Sequence, residues 1–399
     1  MVDQDETEVP DLEEGEALEL PPRPPVYAKT DVSYESQYRS MEELGKGKFG
    51  VVKRCTRKSD GVELAAKFIK VTASSRAEVQ REIEMMNKLH HKRLISLYDA
   101  FETKAEMVVI MELVTGGELF EKVVDDDNLT EKQVIRYTKQ ILYGVQHMHR
   151  KAMVHLDLKP ENILCLGGCM NPGYEEIKLI DFGMTRVITE GKQEAAICGT
   201  PEFVAPEVIS FEPVTVCADM WSMGVIVYVL LSGLSPFMGD DDNETLQNVT
   251  SGEWDFDDGE GEEEEGEEGD EEEEDDDEEG YESVFASVSD ECKQFIRELL
   301  VLDPSQRLTV DQALNHTWIK SGAQKEGAEK KIDIKNLRKF LARRRWQKTT
   351  NTIKAISRLT GGLNMFRGGK ERMHGHEPGT FLDAVKKQHE KEMEAERMQ

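Results

Sequence analysis

Cysteine is sparse and scattered in this 399-residue chain, and long apolar runs are missing. Of the six cysteines only Cys165 and Cys169 are close, and without a second pair they make a poor zinc site, so free buried thiols are expected. No run approaches the 18 apolar residues of a membrane-spanning helix. The first residues are acidic, whereas a secretory signal starts with basic residues followed by an apolar run. These absences predict a soluble, intracellular protein with no transmembrane segment.

Basic residues are absent from two strongly acidic stretches. Residues 1–20 contain nine acids, and residues 257–279 contain 19 acids and four glycines and nothing else. Outside these stretches 52 acids stand against 50 bases, so the net charge of −30 is concentrated in them. A run without apolar side chains cannot offset its ordering entropy, which predicts a disordered insertion at 257–279. No nucleic-acid partner is expected of so acidic a chain.

Hydrophobic periodicity changes along the chain. From Tyr38 to about Lys70 the pattern predicts strands, with a hairpin at Asp60-Gly61. From Arg76 onward the periods are those of helices, and the globular pattern stops at about Lys320. A strand-rich front and a helix-rich back are predicted.

A glycine-rich turn, GKGKFGVV, occupies residues 45–52. Its G-x-G-x-x-G pattern also occurs in dinucleotide folds, but there a helix follows the third glycine, whereas Val51 and Val52 continue a strand. Lys67 follows in the strand-like ELAAKFIK, and Glu82 on the next helix is the candidate that orients it. The spacing predicts a hairpin folded over phosphates, with Lys67 neutralising their charge.

A second cluster lies in VHLDLKPENIL (154–164) and KLIDFGM (178–184). Phosphoryl transfer needs a carboxylate that orients and accepts the hydroxyl proton, which we assign to Asp157. It also needs a cation that steadies the transferring phosphate, Lys159, and oxygen ligands for Mg²⁺, Asn162 and Asp181. The order and spacing of these residues predict this chemistry.

With GTPEFVAPE at 199–207, these motifs resemble the eukaryotic protein kinases over residues 38–319, about seventy per cent of the chain. The resemblance implies an α+β, bilobal fold, with a small β-rich N-lobe, a larger α-helical C-lobe and ATP with Mg²⁺ between them. It also implies a pair between Glu207 and Arg307 in the large lobe. The ATP-binding residues that it implies are Leu44, Gly45, Gly47, Gly50, Val52, Ala65, Lys67, Glu82, Met111, Glu112, Val114 and Leu164.

One position departs from the kinase pattern. Leu156 stands where many kinases have an arginine that pairs with a phosphorylated activation loop. Leucine cannot make that contact, and hydroxyls are few in the loop. The hypothesis is that activity needs no activation-loop phosphate.

A basic stretch with a tryptophan, ARRRWQKTTNTIKAISRL, follows the kinase-like region. On a helix, Trp346 and Ile353 share a side, whereas Leu359 lies about 20 Å along the axis and roughly 140° around from Trp346. A two-lobed acidic partner could hold both anchors, which favours calmodulin. A membrane-surface helix is the alternative, but it would favour a continuous apolar face.

Placed after HLDLKPEN and GTPEFVAPEV, this stretch makes the chain similar to the myosin light chain kinases of the calcium/calmodulin-dependent group. The similarity implies a Ser/Thr kinase acting on myosin regulatory light chain, with a basic segment that covers the substrate site until calcium-loaded calmodulin removes it. It implies substrate contacts at Glu118, Glu161 and Thr200. The implied calmodulin-binding residues are Arg343, Arg344, Arg345, Trp346, Ile353 and Leu359.

The predicted organisation is a disordered acidic and proline-rich N-terminus (1–37), a kinase domain (38–319), an autoinhibitory and calmodulin-binding segment (320–364) and a charged tail (365–399). The insertion 257–279 either attracts the basic tail or a basic substrate, or serves solubility. A cytoplasmic monomer, associated with actomyosin, is expected.

Three alternatives stay open at this point. The chain could be another calmodulin-regulated kinase of the group, death-associated or twitchin-like, with a different substrate. It could be a scaffold of kinase fold with little turnover, although Asp157, Asn162 and Asp181 argue against that. It could also act at a membrane surface through residues 335–358.

Overall fold

The computed structural model describes residues 18–47, 50–167, 175–189, 199–256, 283–325 and 327–347. The chain divides into two compact units, Met1–Leu113 and Val114–Gln399. The predicted acidic insertion and charged tail lie outside the described residues, as do residues 1–17. Within the described ranges no helix is long and apolar enough to cross a bilayer.

The first unit is built on a five-stranded antiparallel sheet in the order β1-β2-β3-β5-β4. Asp60 and Gly61 form the turn between β2 and β3, where Gly61 has a φ of +76° that glycine adopts without strain. A capping box between Thr72 and Ser75 starts the second helix. The elements are α1 (Tyr34–Gln37), β1 (Tyr38–Gly47), β2 (Gly50–Arg57), β3 (Glu63–Lys70), α2 (Ala73–Met86), β4 (Leu97–Glu102) and β5 (Glu106–Met111).

An aromatic cluster fills one face of this sheet. Tyr34 stacks on Tyr38 at 5.7 Å between ring centroids, and both rings meet Phe101 edge-on. Leu64 and Val108 belong to the same buried cluster. Burial of these rings stabilises the sheet, in which β3, the strand that carries Lys67, is central.

The structure differs from the predicted disorder over residues 18–37. This segment hydrogen-bonds to the first unit: Leu20 N–H donates to the carbonyl of His90, and Lys29 N–H donates to the carbonyl of Ala100. Composition alone predicted disorder because acids and prolines dominate the stretch, but the backbone bonds and the buried ring of Tyr34 fix its second half.

The second unit is mainly helical, as the sequence predicts. It also contains two small antiparallel sheets, in which β6 pairs with β9 and β7 pairs with β8. Helical residues 335–347 form what we call the C-terminal helix. The other elements are α3 (Leu119–Asp126), α4 (Glu131–His149), β6 (Met153–Val154), β7 (Ile163–Cys165), β8 (Ile177–Leu179), β9 (Arg186–Val187), α5 (Pro206–Ile209), α6 (Ala218–Ser232), α7 (Asp242–Ser251), α8 (Asp290–Leu299), α9 (Val310–Asn315) and α10 (Thr317–Ser321), with 3-10 turns at Pro160–Asn162 and Gly322–Gln324.

Helix α6 lies at the centre of this unit. All of its residues are buried, as expected for a helix that is apolar on every side. The Arg307 guanidinium forms two hydrogen bonds with the Glu207 carboxylate, at 2.9 and 3.1 Å, which confirms the predicted pair. The side chains of Arg307 and Glu207 are 0 % and 1 % exposed, so removal of either partner would leave the other as a buried charge without solvation by water.

Candidate active site

In the first unit, Lys67 forms an ion pair with Glu82 at 2.8 Å from Nζ to Oε1. Strand β3 fixes the lysine, and α2 fixes the glutamate. Their side chains are only 16 % and 9 % exposed, so the pair is sheltered from solvent screening. This pair holds the ammonium group in one orientation.

The glycine-rich turn joins β1 to β2. Gly45 and Gly47 lie on β1, and residues 48 and 49 at the tip lie outside the described ranges. Gly50 has a φ of +154°, and a Cβ atom there would clash with the carbonyl oxygen of Phe68. Glycine is required at this position by the close approach of β2 and β3.

Several predicted ATP-binding residues of the first unit lie on adjacent strands. Val52 pairs with Lys67 across β2 and β3, and Ala65 pairs with Met111 across β3 and β5. Leu44 on β1 is 43 % exposed, and Glu112 follows β5, its N–H donating to the carbonyl of Ser96. Val114 is the first residue of the second unit, and Leu164 on β7 of that unit forms a β-bridge with Glu118.

Asp157 is the centre of a hydrogen-bonded cluster in the second unit. Its carboxylate accepts from Lys159 Nζ at 2.7 Å and from Asn162 Nδ2 at 3.2 Å. Thr200 lies 3.1 Å from Lys159 Nζ and 3.4 Å from Asp157 Oδ1. The fold therefore joins the predicted base, the predicted phosphate cation and a predicted substrate-side hydroxyl in one network.

Two residues flanking this network have left-handed backbone. Leu156 has a φ of +67° and Asp181 a φ of +65°. Residues other than glycine adopt this region at a cost of about 1–3 kcal/mol, which the surrounding structure has to offset. Such strain is typical of functional sites and here fixes the direction of the segments that carry Asp157 and Asp181.

The Asp219 carboxylate binds the backbone of the two residues that precede Asp157. It accepts the backbone N–H groups of His155 and Leu156 at 2.9–3.1 Å and lies 2.9 Å from His149 Nε2. Complete burial alone would raise the pKa of Asp219, but the hydrogen bond and charge of His149, with the contributions of His155, outweigh it and lower the pKa. No motif predicts this residue, although a single acid beside the apolar run MWSMGVIVYVLL is a signal.

The C-terminal helix inserts Arg344 into an acidic pocket of the second unit. Arg344 makes three hydrogen bonds to Glu161, at 2.7–2.9 Å, and a further bond of 3.2 Å to Glu202. Its guanidinium also lies 5.1 Å from the ring centroid of Phe203 and 5.4 Å from that of Phe340. Only 8 % of Arg344 is exposed. The predicted substrate residue Glu161 is therefore occupied by a predicted calmodulin-binding residue.

Glu202 is a second functional candidate that sequence analysis missed. Burial raises its pKa, an effect that the nearby charge of Arg344 partly opposes. The motif GTPEF fixes the place of Glu202 in the chain, whereas the direction of its side chain depends on tertiary packing.

The two arginines beside Arg344 have different positions. Arg345 donates to Glu121 on α3 at 2.9 Å, and Arg343 contacts the sulfur of Met238. Trp346 is 57 % exposed. The predicted anchors Ile353 and Leu359 lie outside the described residues.

Comparison with known proteins agrees with this geometry. Residues 38–319 match the family model described as protein kinase domain. The chain therefore belongs to the protein kinase family, and its relatives are serine/threonine kinases. It is 41 % identical to smooth muscle myosin light chain kinase of Gallus gallus and 43 % identical to myosin light chain kinase 2 of Oryctolagus cuniculus, over 97 % and 82 % of this chain. The resemblance to that group is confirmed.

The chain spans 19 % and 50 % of those two relatives, respectively. It is also 41 % identical to human death-associated protein kinase 2, over 82 % of this chain and 85 % of that protein. Among solved structures, the autoinhibited serine kinase domain of titin has a TM-score of 0.64 at 30 % identity and covers 77 % of this chain and 87 % of its own. A titin kinase structure with flanking domains has a TM-score of 0.65 over 77 % of this chain and 51 % of its own.

Proposed function

We propose that this chain is a calcium/calmodulin-activated Ser/Thr kinase that transfers the γ-phosphate of ATP to myosin regulatory light chain. In this proposal the C-terminal helix blocks the site for basic substrates until calcium-loaded calmodulin removes it. One observation carries the proposal: Arg344 forms a buried, multiply hydrogen-bonded ion pair with Glu161, which directly precedes Asn162 and lies four residues after Asp157.

The chain's donor atoms suit MgATP. Asn162 and Asp181 offer the hard oxygen ligands that Mg²⁺ prefers, and Lys67, held by Glu82, offers a cation for phosphate oxygens. When bound, MgATP supplies the phosphoryl group. Asp157 would then orient the substrate hydroxyl and accept its proton, and Lys159 would neutralise charge on the phosphoryl oxygens. Their bond at 2.7 Å keeps the two groups together before substrate arrives.

The inhibitory contact combines apolar burial with charge. Leu337, Phe340 and Leu341 of the C-terminal helix are each at most 5 % exposed, and they fix the helix that presents Arg344. Because the helix is part of the same chain, its effective concentration at the pocket is high, on the order of millimolar for flexible tethers. A substrate arginine would need Glu161 and Glu202, which Arg344 occupies.

Trp346 gives calmodulin a starting point. More than half of this residue's surface is exposed, whereas Arg344 two residues earlier is buried. A partner that first binds the indole and then wraps the following residues would draw Arg344 out of its pocket. Ile353 and Leu359 are proposed as the further anchors.

Activation without a loop phosphate is consistent with the surroundings of Leu156. Its side chain is 8 % exposed and bears no charge that could hold a phosphate. Thr185, one of the few hydroxyl residues nearby, is fully buried and therefore inaccessible to a modifying kinase.

A radiolabelled-phosphate assay on purified light chain tests the proposal. Transfer should be high with calcium and calmodulin and low with a calcium chelator. Strong transfer with chelator, or none with calmodulin, would contradict it. Phosphatase treatment should leave the activated rate unchanged.

A second candidate is a calmodulin-regulated kinase of the death-associated type with another substrate. It is favoured by the 85 % coverage of death-associated protein kinase 2. A comparison of light chain with a panel of basic Ser/Thr peptides separates the two, because only the first candidate predicts that light chain is preferred.

A further inference from the structure

The position of α2 determines whether Glu82 can reach Lys67, and this helix is tethered near its start. Arg76 forms an ion pair with Glu102 at the end of β4. Its guanidinium also donates to the carbonyls of Thr103 and Lys104, at 3.5 and 3.3 Å. This end of α2 is fixed to the β4–β5 turn.

The other end of α2 is held by the chain that precedes the sheet. Asn87, the C-cap of α2, forms a reciprocal pair of hydrogen bonds with the backbone of Val26. The Val26 N–H donates to Asn87 Oδ1, and Asn87 Nδ2 donates to the Val26 carbonyl, each at 2.8 Å. The asparagine amide thus bonds to both the N–H and the C=O of one residue, as a neighbouring strand would do in a β-sheet.

Residues 18–29, which we call the N-terminal segment, are fixed on both sides of that clamp. On one side the backbone of Leu18 and Leu20 bonds to residues 90 and 92. On the other, Lys29 exchanges backbone bonds with Ala100 and Glu102 on β4, an edge strand of the sheet, and its Nζ lies 2.7 Å from the nearly buried Asp99. Between them Arg23 lies over the ring of Tyr98 at 4.6 Å.

We infer that the N-terminal segment positions the Lys67–Glu82 pair. Asn87 is the positioning residue, because its hydrogen bonds to Val26 fix the end of the helix that carries Glu82. Glu82 lies five residues before Asn87, about 7.5 Å along the helix axis. A rigid helix held at both ends cannot swing Glu82 away from Lys67. The inference goes beyond the proposed function and rests on it only for the activity that the pair supports. A chain with Leu156 needs a way of fixing Glu82 that does not depend on loop phosphate, and the N-terminal segment supplies it.

Two variants of the full chain break the clamp from opposite sides. Asn87→Ala removes both hydrogen bonds, and Val26→Pro removes the N–H donor without altering α2. Glu84→Ala is the matched control, because Glu84 is an exposed residue of the same helix.

Amide hydrogen exchange of α2 is the first measurement. Two hydrogen bonds of about 1 kcal/mol each predict that exchange in α2 rises about tenfold or more in Asn87→Ala. We expect a smaller rise in Val26→Pro. The double variant should show no rise beyond that of Asn87→Ala, because both changes disrupt the same contact between Val26 and Asn87. This readout does not depend on any substrate or on calmodulin.

The second measurement is steady-state kinetics, in the presence of calcium and calmodulin, with a synthetic peptide that carries arginines before a serine. The KM for MgATP should rise about twofold or more in both variants, in step with the loss of the competent state, while the KM for peptide stays unchanged. A merely destabilised protein would lose active enzyme with both KM values unchanged.

The inference is overturned if exchange in α2 and the KM for ATP equal those of Glu84→Ala. It is also overturned if only Asn87→Ala has an effect, since the residue would then act as a helix cap alone. If the unaltered chain transfers no phosphate to any peptide, the proposed function fails, and the exchange measurement still decides the clamp.

Discussion

Asp219 contacts no predicted substrate group, yet it fixes the two backbone N–H groups that precede Asp157. A charged acceptor with three hydrogen bonds in a fully buried place is difficult to replace, because any neutral residue leaves donors unsatisfied. The direction of Asp157 therefore depends on a residue of α6 far away in sequence.

Asp219→Asn should lower the free energy of unfolding at neutral pH by about 1–3 kcal/mol, since hydrogen bonds to a charged acceptor are lost. Asp219 has a lowered pKa in the folded state, so its contribution is complete above the unfolded value of about 3.9 and disappears as pH falls through the folded value. Denaturant unfolding at several pH values should show a smaller loss of stability below pH 4 in the variant. Asp125→Asn, at an exposed position, is the control. Equal acid sensitivity in Asp219→Asn and the unaltered chain would contradict this role.

Glu161 and Glu202 contribute unequally to the pocket of Arg344. Glu161 receives three hydrogen bonds and Glu202 one, and burial already disfavours the charge of Glu202. We expect Glu161→Gln to raise calcium-independent kcat more than Glu202→Gln does, and both to raise the KM for an arginine-containing peptide. Initial rates at saturating peptide separate these effects. The reverse ranking would show that Glu202 is the main partner of Arg344.

The C-terminal helix has two faces with different uses. Apolar residues at 337, 340 and 341 are buried against the second unit, while Trp346 near its end is exposed. Sequence periodicity predicted an amphipathic basic helix and its tryptophan anchor. It could not predict which of the three adjacent arginines is buried, because that depends on where Glu161 and Glu202 point after the helical unit has folded.

Trp346→Ala should weaken calmodulin binding about tenfold or more, because a buried tryptophan anchor usually dominates such an interface. Calorimetry with calcium-loaded calmodulin measures the change, and the calmodulin concentration for half-activation should rise in parallel. Gln347→Ala, an exposed neighbour, controls for local changes in the helix. Unchanged affinity in Trp346→Ala would exclude the indole as an anchor.

Across the whole molecule, motif order was enough to predict the two-part kinase fold and the residues around Asp157. Three features needed tertiary information. The ordered residues 18–37 were hidden by an acidic, proline-rich composition, and their bonds are made by backbone atoms that composition does not reveal. Asp219 and Glu202 gain their importance only from what folding places beside them.

The effect of one substitution on calcium-free activity tests the account most directly. Arg344→Ala removes the buried guanidinium and leaves Glu161 available to substrate, so the chain should phosphorylate a basic peptide without calcium at a rate close to that of the calmodulin-activated, unaltered chain. Lys339→Ala, which removes the same charge from an exposed position of the same helix, should remain inhibited. If Arg344→Ala is as inactive without calcium as the unaltered chain, while calmodulin still activates both, the ion pair is not what holds the enzyme off.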